Sequence, residues 1–149
     1  MTEILDQLEE KGVKNILALR GDVNPDFAIE KDFKYASDLT EYIMSKNRGF
    51  NVSGACYPEV HQEAANMIED IQNLKKKVDS GADHLISQLF FDDQVFFDFQ
   101  EKARIAGINV PIEAGIMPVT NKKQIERMVS MCGASIPAKL SKVLQKIWR

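Results

Sequence analysis

Arg20, Gly21 and Asp22 directly follow the apolar run Ile16-Leu17-Ala18-Leu19. Glycine after a strand lets a flat ligand or a phosphate approach the backbone. Arginine supplies fixed donors for an anion or a carbonyl, and the neighbouring carboxylate could accept from a ring N–H. The competing reading is a surface ion pair closing a turn. The segment matches neither GxGxxG nor GxxxxGK(S/T), so it is neither a dinucleotide fingerprint nor a phosphate loop. A second cluster, Tyr57-Pro58-Glu59-Val60-His61, follows the run Phe50 to Cys56. Glu59 and His61 could support acid–base work or hydrogen-bond a cofactor. They could also mark a helix start, where a carboxylate favours the dipole and a histidine is solvated, and a lone histidine here is more often structural than catalytic.

Gln88 lies in the apolar stretch Leu85-Ile86-Ser87-Gln88-Leu89-Phe90-Phe91. A buried amide needs partners, and one that offers donor and acceptor together suits a heterocyclic edge such as a pterin. It could also be a satisfied core amide. Asp92 and Asp93 are expected to cap the next helix. Asp70, Asn73, Lys76 and Lys77 fall on or near one helical face. The simplest reading is a solvated face, although lysine could neutralise a pyrophosphate. The two histidines, His61 and His84, show no HxxxH spacing, which argues against a metal site.

The elements that must carry these groups alternate between two periodicities. A helix is expected over residues 2–11, and strands over 14–19, 50–56, 84–91 and 110–115. The strand at 14–19 reads as covered on both faces. Helices are expected over 37–47, 62–80, 93–106, 121–131 and 137–148, and Ser37 or Asp38 could start or cap the first of these. In the helix at 62–80, Ala65, Ile68, Ile71, Leu74 and Val78 recur at spacings of three or four. The long loop at 20–34 has the length of a binding loop. Strand starts spaced by roughly 30–35 residues fit βα units with parallel neighbours and right-handed crossovers. The reading is α/β: either a four-stranded open sheet or half of an eight-stranded barrel. Four apolar runs each end in polar groups, and barrels of parallel strands keep their chemistry at that end.

The 149 residues suit one domain with a real core. A content of 44% hydrophobic and 28% charged residues, with net charge -3, is that of an ordinary globular protein. Lys75-Lys76-Lys77 is too short a basic cluster to suggest a nucleic-acid surface. No run is long enough to span a membrane, and the acidic N-terminus is unlike a signal peptide. Cys56 and Cys132 lack metal-site spacing, and a reducing cytoplasm is the expected setting.

Taken in order, these segments resemble methylenetetrahydrofolate reductase. The stretches that carry the likeness are Leu19-Arg20-Gly21-Asp22, Tyr35-Ala36-Ser37-Asp38-Leu39, Tyr57-Pro58-Glu59-Val60-His61 and Asn73 to Ala82. Gln88-Leu89-Phe90-Phe91-Asp92, Gly115-Ile116-Met117-Pro118-Val119 and Ile136-Pro137 continue it. The resemblance implies a partial (β/α)8 TIM barrel of about four parallel strands with flanking helices. It also implies hydride transfer from NAD(P)H through FAD to 5,10-methylenetetrahydrofolate. By that likeness Arg20, Gly21, Asp22, Ala36 and Tyr57 would contact FAD. His61, Ala64, Asp70, Asn73, Lys76 and Lys77 would hold the rest of it, including its pyrophosphate and ribose. Asp22 would tune the flavin and meet the folate, while Gln88 and Gln124 would face folate or nicotinamide. Lys76 stands where arginine is common, which keeps the charge but loses the fork geometry. Met128 stands where some relatives carry a stacking aromatic residue.

The family's first strands, with the glutamate that protonates folate, would precede Met1, and its eighth strand would follow Arg149. The chain is thus expected to correspond to strands four to seven and to be a poor catalyst, or none, alone. A second expectation is a non-catalytic half-barrel that assembles with a second copy or a complementary half-barrel chain, because open sheet edges leave unpaired backbone groups. A different flavin- or phosphate-binding barrel enzyme is the third.

Overall fold

A computed structural model describes residues 1–21 and 32–147, with Lys122 as backbone only. Asp22 and most of the loop expected at 20–34 lie outside the described residues. The chain opens with α1 (Thr2–Glu10) and continues through β1 (Asn15–Ala18), α2 (Ala36–Ser45), β2 (Asn51–Cys56) and α3 (Met67–Asp79). It proceeds through β3 (His84–Ser87), α4 (Asp93–Ile105), β4 (Ile112–Glu113), α5 (Lys122–Cys132) and α6 (Ala138–Ile147).

The strands form one parallel sheet in the order β1-β2-β3-β4. That order decides between the two architectures left open by the pattern. Right-handed crossovers that always step in the same direction put every crossover helix on the same face, whereas a doubly wound sheet reverses direction and covers both faces. The strands and helices therefore build part of a (β/α)8 barrel.

Burial follows this layout. Val52, Gly54 and Cys56 of β2, and Leu85 and Ser87 of β3, are buried. Cys56 and Leu85 pack with Ile71 and Leu74 of α3 and Phe99 and Ala103 of α4. Ala18 and Val52 pack with Leu5 of α1, Ile43 of α2 and Phe50. Phe99 is only 1% exposed, and truncating it to alanine would cost about 3–5 kcal/mol.

Among the described residues the opposite face of β1 is open, which corrects the expectation that β1 is covered on both sides. Leu17 and Leu19 are 46% and 50% exposed. They lie on the face that points into the ring of a barrel, and no element among the described residues covers it.

Several element boundaries also differ from expectation. α3 begins at Met67 rather than 62, because residues 57–66 form successive turns held by Val60 N–H to Tyr57 O and Ala64 N–H to His61 O. Its inner stripe uses Met67, Ile71, Leu74 and Val78, while Ile68 faces solvent at 71% exposure. β3 ends at Ser87, short of the expected 91, and β4 keeps only Ile112 and Glu113 of 110–115. Past this point the ladder is replaced by a side chain. The buried Ser87 hydroxyl accepts from Gly115 N–H at 2.9 Å. A Cβ at Gly115 would collide with the Ser87 carbonyl oxygen, so only glycine lets the two backbones approach this closely.

Candidate functional site

A cleft of about 580 Å³ opens at the C-terminal ends of β1 and β2, within the usual size range for small-molecule sites. Its floor is formed by the strand tips Ala18, Ala55 and Cys56. Its walls are the first turn of α2, the inner side of α3, and the loop after β2. Of the residues expected at a cofactor site, Arg20, Ala36, Tyr57, His61, Ala64, Asp70, Asn73, Lys76 and Lys77 all line it. Gly21 adjoins Arg20, at φ +72°, and is not part of the wall.

Each wall is positioned by local chemistry. α2 begins at Ala36 with Tyr35 at the N-cap, not Ser37 or Asp38; Asp38, the third helical residue, reaches back to accept from Tyr35 N–H at 2.8 Å. Asn66 caps α3 by accepting from Glu69 N–H at 3.0 Å, and Glu69 accepts in return from Ala65 N–H at 2.7 Å. This reciprocal pair satisfies donors that a helix start leaves unpaired. Once α3 forms, the spacing of Asp70, Asn73 and Lys77 places them along one stripe facing the cleft.

The charges in the cleft are engaged with protein groups. Arg20 donates both terminal nitrogens to Glu63, each at 2.6 Å, in a bidentate pair across the cleft wall. Lys77 lays its aliphatic stem over Gly54, where a Cβ would come within 2.5 Å of Lys77 Cδ, and its Nζ donates to Ala55 O at 2.5 Å. Burial lowers the Lys77 pKa, with Cys56 and Asp70 opposing. Burial pushes the Cys56 thiol up to about 12, so it remains protonated and a poor nucleophile at neutral pH. Asp70 is raised, first by burial, although it accepts from His61 N–H at 2.9 Å.

The His61 ring meets Tyr57 edge to face at 4.5 Å, and its Nδ1 accepts from Glu63 N–H at 3.1 Å. Neutral His61 therefore carries its proton on Nε2. His61 is thus built into the cleft wall rather than freely solvated. Glu59 points away from the cleft. Both its carboxylate oxygens accept from Ser135 N–H, at 3.0 and 3.1 Å.

Of the three residues expected to meet substrate, Asp22 lies outside the described residues, and Gln88 and Gln124 do not line this cleft. Gln88 is half-buried; its backbone N–H bonds Cys56 O at 2.8 Å, and its side chain accepts from Leu89 N–H at 2.9 Å. That short-range bond satisfies the amide oxygen without a ligand. Gln124 is exposed on α5 and lines a small apolar crevice with Phe91, Met117, Ile125 and Met128. Glu63, Tyr35 and Glu69 line the cleft but were not singled out individually from the sequence. Tyr35 lies in a stretch already marked as informative. Glu63 gave no signal, because its partner Arg20 is 43 residues away.

The described residues contain no group of three or more His, Cys, Asp or Glu side chains able to hold a metal ion, and no helix long and apolar enough to cross a membrane. The cleft lining instead mixes both signs of charge, with Arg20, Lys76 and Lys77 beside Asp38, Glu63, Glu69 and Asp70. Arg20, Lys76 and Lys77 supply positive charge, Asp70 and Asn73 supply acceptors for hydroxyls, and Tyr57 supplies an aromatic surface.

Fold and cleft together define a partial (β/α)8 protein with an open cleft at the strand C-terminal ends. The chain belongs to the methylenetetrahydrofolate reductase family, whose model matches residues 1–149. It is 43% identical over 127 residues to 5,10-methylenetetrahydrofolate reductase of Escherichia coli, covering 85% of this chain and 42% of that protein. It is 38% identical over 157 residues to methylenetetrahydrofolate reductase (NADH) 1 of Arabidopsis thaliana, covering 96% of this chain and 26% of that protein. The match to the Buchnera aphidicola 5,10-methylenetetrahydrofolate reductase is 40% over 140 residues, covering 92% and 46%. The chain spans less than half the length of these relatives.

Proposed function

We propose that this chain forms the FAD-holding part of a folate reductase that uses NAD(P)H and converts 5,10-methylenetetrahydrofolate to 5-methyltetrahydrofolate. When bound, FAD supplies the two-electron chemistry that links a nicotinamide donor to the folate. The chain's own residues bind and orient. Arg20, Lys76 and Lys77 offset the negative charge of the diphosphate, Asp70 and Asn73 engage hydroxyls, and Tyr57, Ala36, His61 and Ala64 shape the walls. Asp22, with Gly21 beside it, is assigned to tuning the flavin and contacting folate. Gln88 and Gln124 are assigned to folate or nicotinamide. The general acid is assigned to a glutamate outside the matched motifs.

The observation that carries this reading is the convergence on one cleft of nine residues from the segment after β1, α2, the loop after β2, and α3. The test is flavin absorbance and NADH oxidation, measured on the chain alone and co-expressed with the N-terminal half of a relative. Bound flavin in at least one combination is the expected result, with NADH oxidation requiring both halves. Flavin in neither combination would sink the reading.

A second reading is favoured by the open face of β1 with its exposed Leu17 and Leu19: two copies, or this chain and a complementary half-barrel, close one ring. Sedimentation should then show a dimer or a stoichiometric complex, and a stable monomer at high concentration would refute it.

A further inference from the structure

We propose that Glu59 is a positioning residue. With Gln62, it pins the C-terminal end of α5 to the loop that walls the cleft, and so holds Gln124 and Met128 in the second crevice. The proposal rests on the reading of the cleft and the crevice as cofactor and substrate sites.

The geometry starts with how little else holds α5. Among its described side chains only Ile125 is fully buried, and Met131 is 66% exposed. Burial of one isoleucine, with Ala134 just beyond the helix, fixes neither the rotation of the helix nor the height of its far end. The loop after β2 supplies what packing does not. Glu59 grips Ser135 N–H with both oxygens, and Gln62 Nε2 donates to Met131 O at 3.1 Å. The Gln62 side chain also lies against Gly133, where a Cβ would come 3.3 Å from its Nε2. Gly133 takes φ +73° to end α5, which turns Ser135 N–H out of the helix and makes it available to the carboxylate.

The other side of the same loop belongs to the cleft. Tyr57, His61, Glu63 and Ala64 line it, and His61 N–H is tied to Asp70 on α3. A short, hydrogen-bonded segment thus spans from α3 to the end of α5. A charge-assisted hydrogen bond to a backbone N–H is among the stronger contacts available at a partly exposed site. α5 is a rigid rod of 11 residues, so a shift at its C-terminal end moves Gln124 near its start.

The two cysteines provide a local readout. Cys132 is the last residue of α5, directly between Met131 and Gly133, and is partly exposed. Cys56 is buried, and its thiol is held largely protonated by its surroundings. The experiment follows modification by an aromatic disulfide reagent at mildly alkaline pH, with Cys132→Ser to assign the reacting thiol. Glu59→Ala should speed Cys132 modification by about tenfold while Cys56 stays protected, as local rather than global opening requires. Glu59→Gln, which keeps one acceptor oxygen, should return the rate to within about threefold of wild type, and Gln62→Ala should raise it by a few-fold.

Unchanged Cys132 rates in Glu59→Ala and Gln62→Ala overturn the proposal. So does a Glu59→Gln rate as fast as that of Glu59→Ala. If Glu59→Ala unfolds, with both cysteines reacting alike, the Glu59→Gln and Gln62→Ala rates decide: equality of both with wild type overturns it, and faster Cys132 with protected Cys56 in Gln62→Ala supports it. Flavin affinity is measured separately. A wild-type chain that never takes up FAD defeats the flavin reading, while the thiol comparison still decides the role of Glu59.

Discussion

Val60 has a φ of 76°, in the left-handed region that β-branched side chains avoid. It sits within the turns that bring Glu59 toward Ser135 and His61 toward Asp70. The left-handed conformation costs an L-residue about 1–2 kcal/mol, and glycine gives back about 0.5–1 kcal/mol through its freer unfolded state. Val60→Gly is therefore expected to stabilise the protein by up to about 1 kcal/mol, raising the thermal midpoint by about 2–4 °C. A lower midpoint would mean that side-chain packing at Val60 outweighs the backbone strain. The motif around Val60 was legible in the sequence as chemistry-bearing. The division of labour within it was not, because Glu59 and Ser135 are 76 residues apart.

At the scale of elements, α3 carries the most cleft residues and depends on its first turn. The Asn66 cap and the returning Glu69 carboxylate replace the backbone partners missing at a helix start. Asn66→Ala should cost about 1 kcal/mol, read as a fall of about 2–4 °C in the thermal midpoint. An unchanged midpoint would show that burial of Ile71 and Leu74 alone sets the helix start. The periodicity of 62–80 revealed that a helix was present but not where it began. Residues 62–66 carry no proline or glycine to mark a boundary. The turns that replace the first predicted helical turns are held by His61 N–H to Asp70, a contact from the loop into the helix. β4 was over-extended for a related reason. Its sequence remains apolar, but Ser87 Oγ captures Gly115 N–H in place of a ladder bond.

Across the whole molecule, the cleft leaves a signature in the pH dependence of stability. Burial raises the Asp70 pKa above its ordinary 3.8. The folded carboxyl therefore holds its proton to a higher pH than the unfolded one. Between the two values the folded state binds more protons, so stability falls as pH rises through that window, and the penalty persists at neutral pH. Lys77 acts in the alkaline range. Burial lowers it below 10.5, so the unfolded state binds more protons between its folded value and 10.5, and stability rises as pH climbs through that window. Asp70→Asn keeps an oxygen for His61 N–H and removes the half-buried charge. It should be more stable than wild type at neutral pH and gain nothing below pH 3.8. Urea midpoints across the pH range test this, and a gain that persists below pH 3.8 would assign the effect to packing rather than charge.

By itself the sequence determined the alternation of strand and helix, the parallel βα character and the placement of polar groups after each strand. These are properties of neighbouring residues: periods of 2 and 3.6 and breaks at glycine need no distant partner. The tertiary structure decided that the strands run in sequential order, so that the crossover helices α2, α3 and α4 share one face, and no described element covers Leu17 and Leu19 on the other. It also decided that Arg20 pairs with Glu63, and that Gln88 turns to its own neighbour instead of the cleft. Such choices depend on groups brought together from far along the chain, where burial and hydrogen-bond geometry, rather than local periodicity, select the partner.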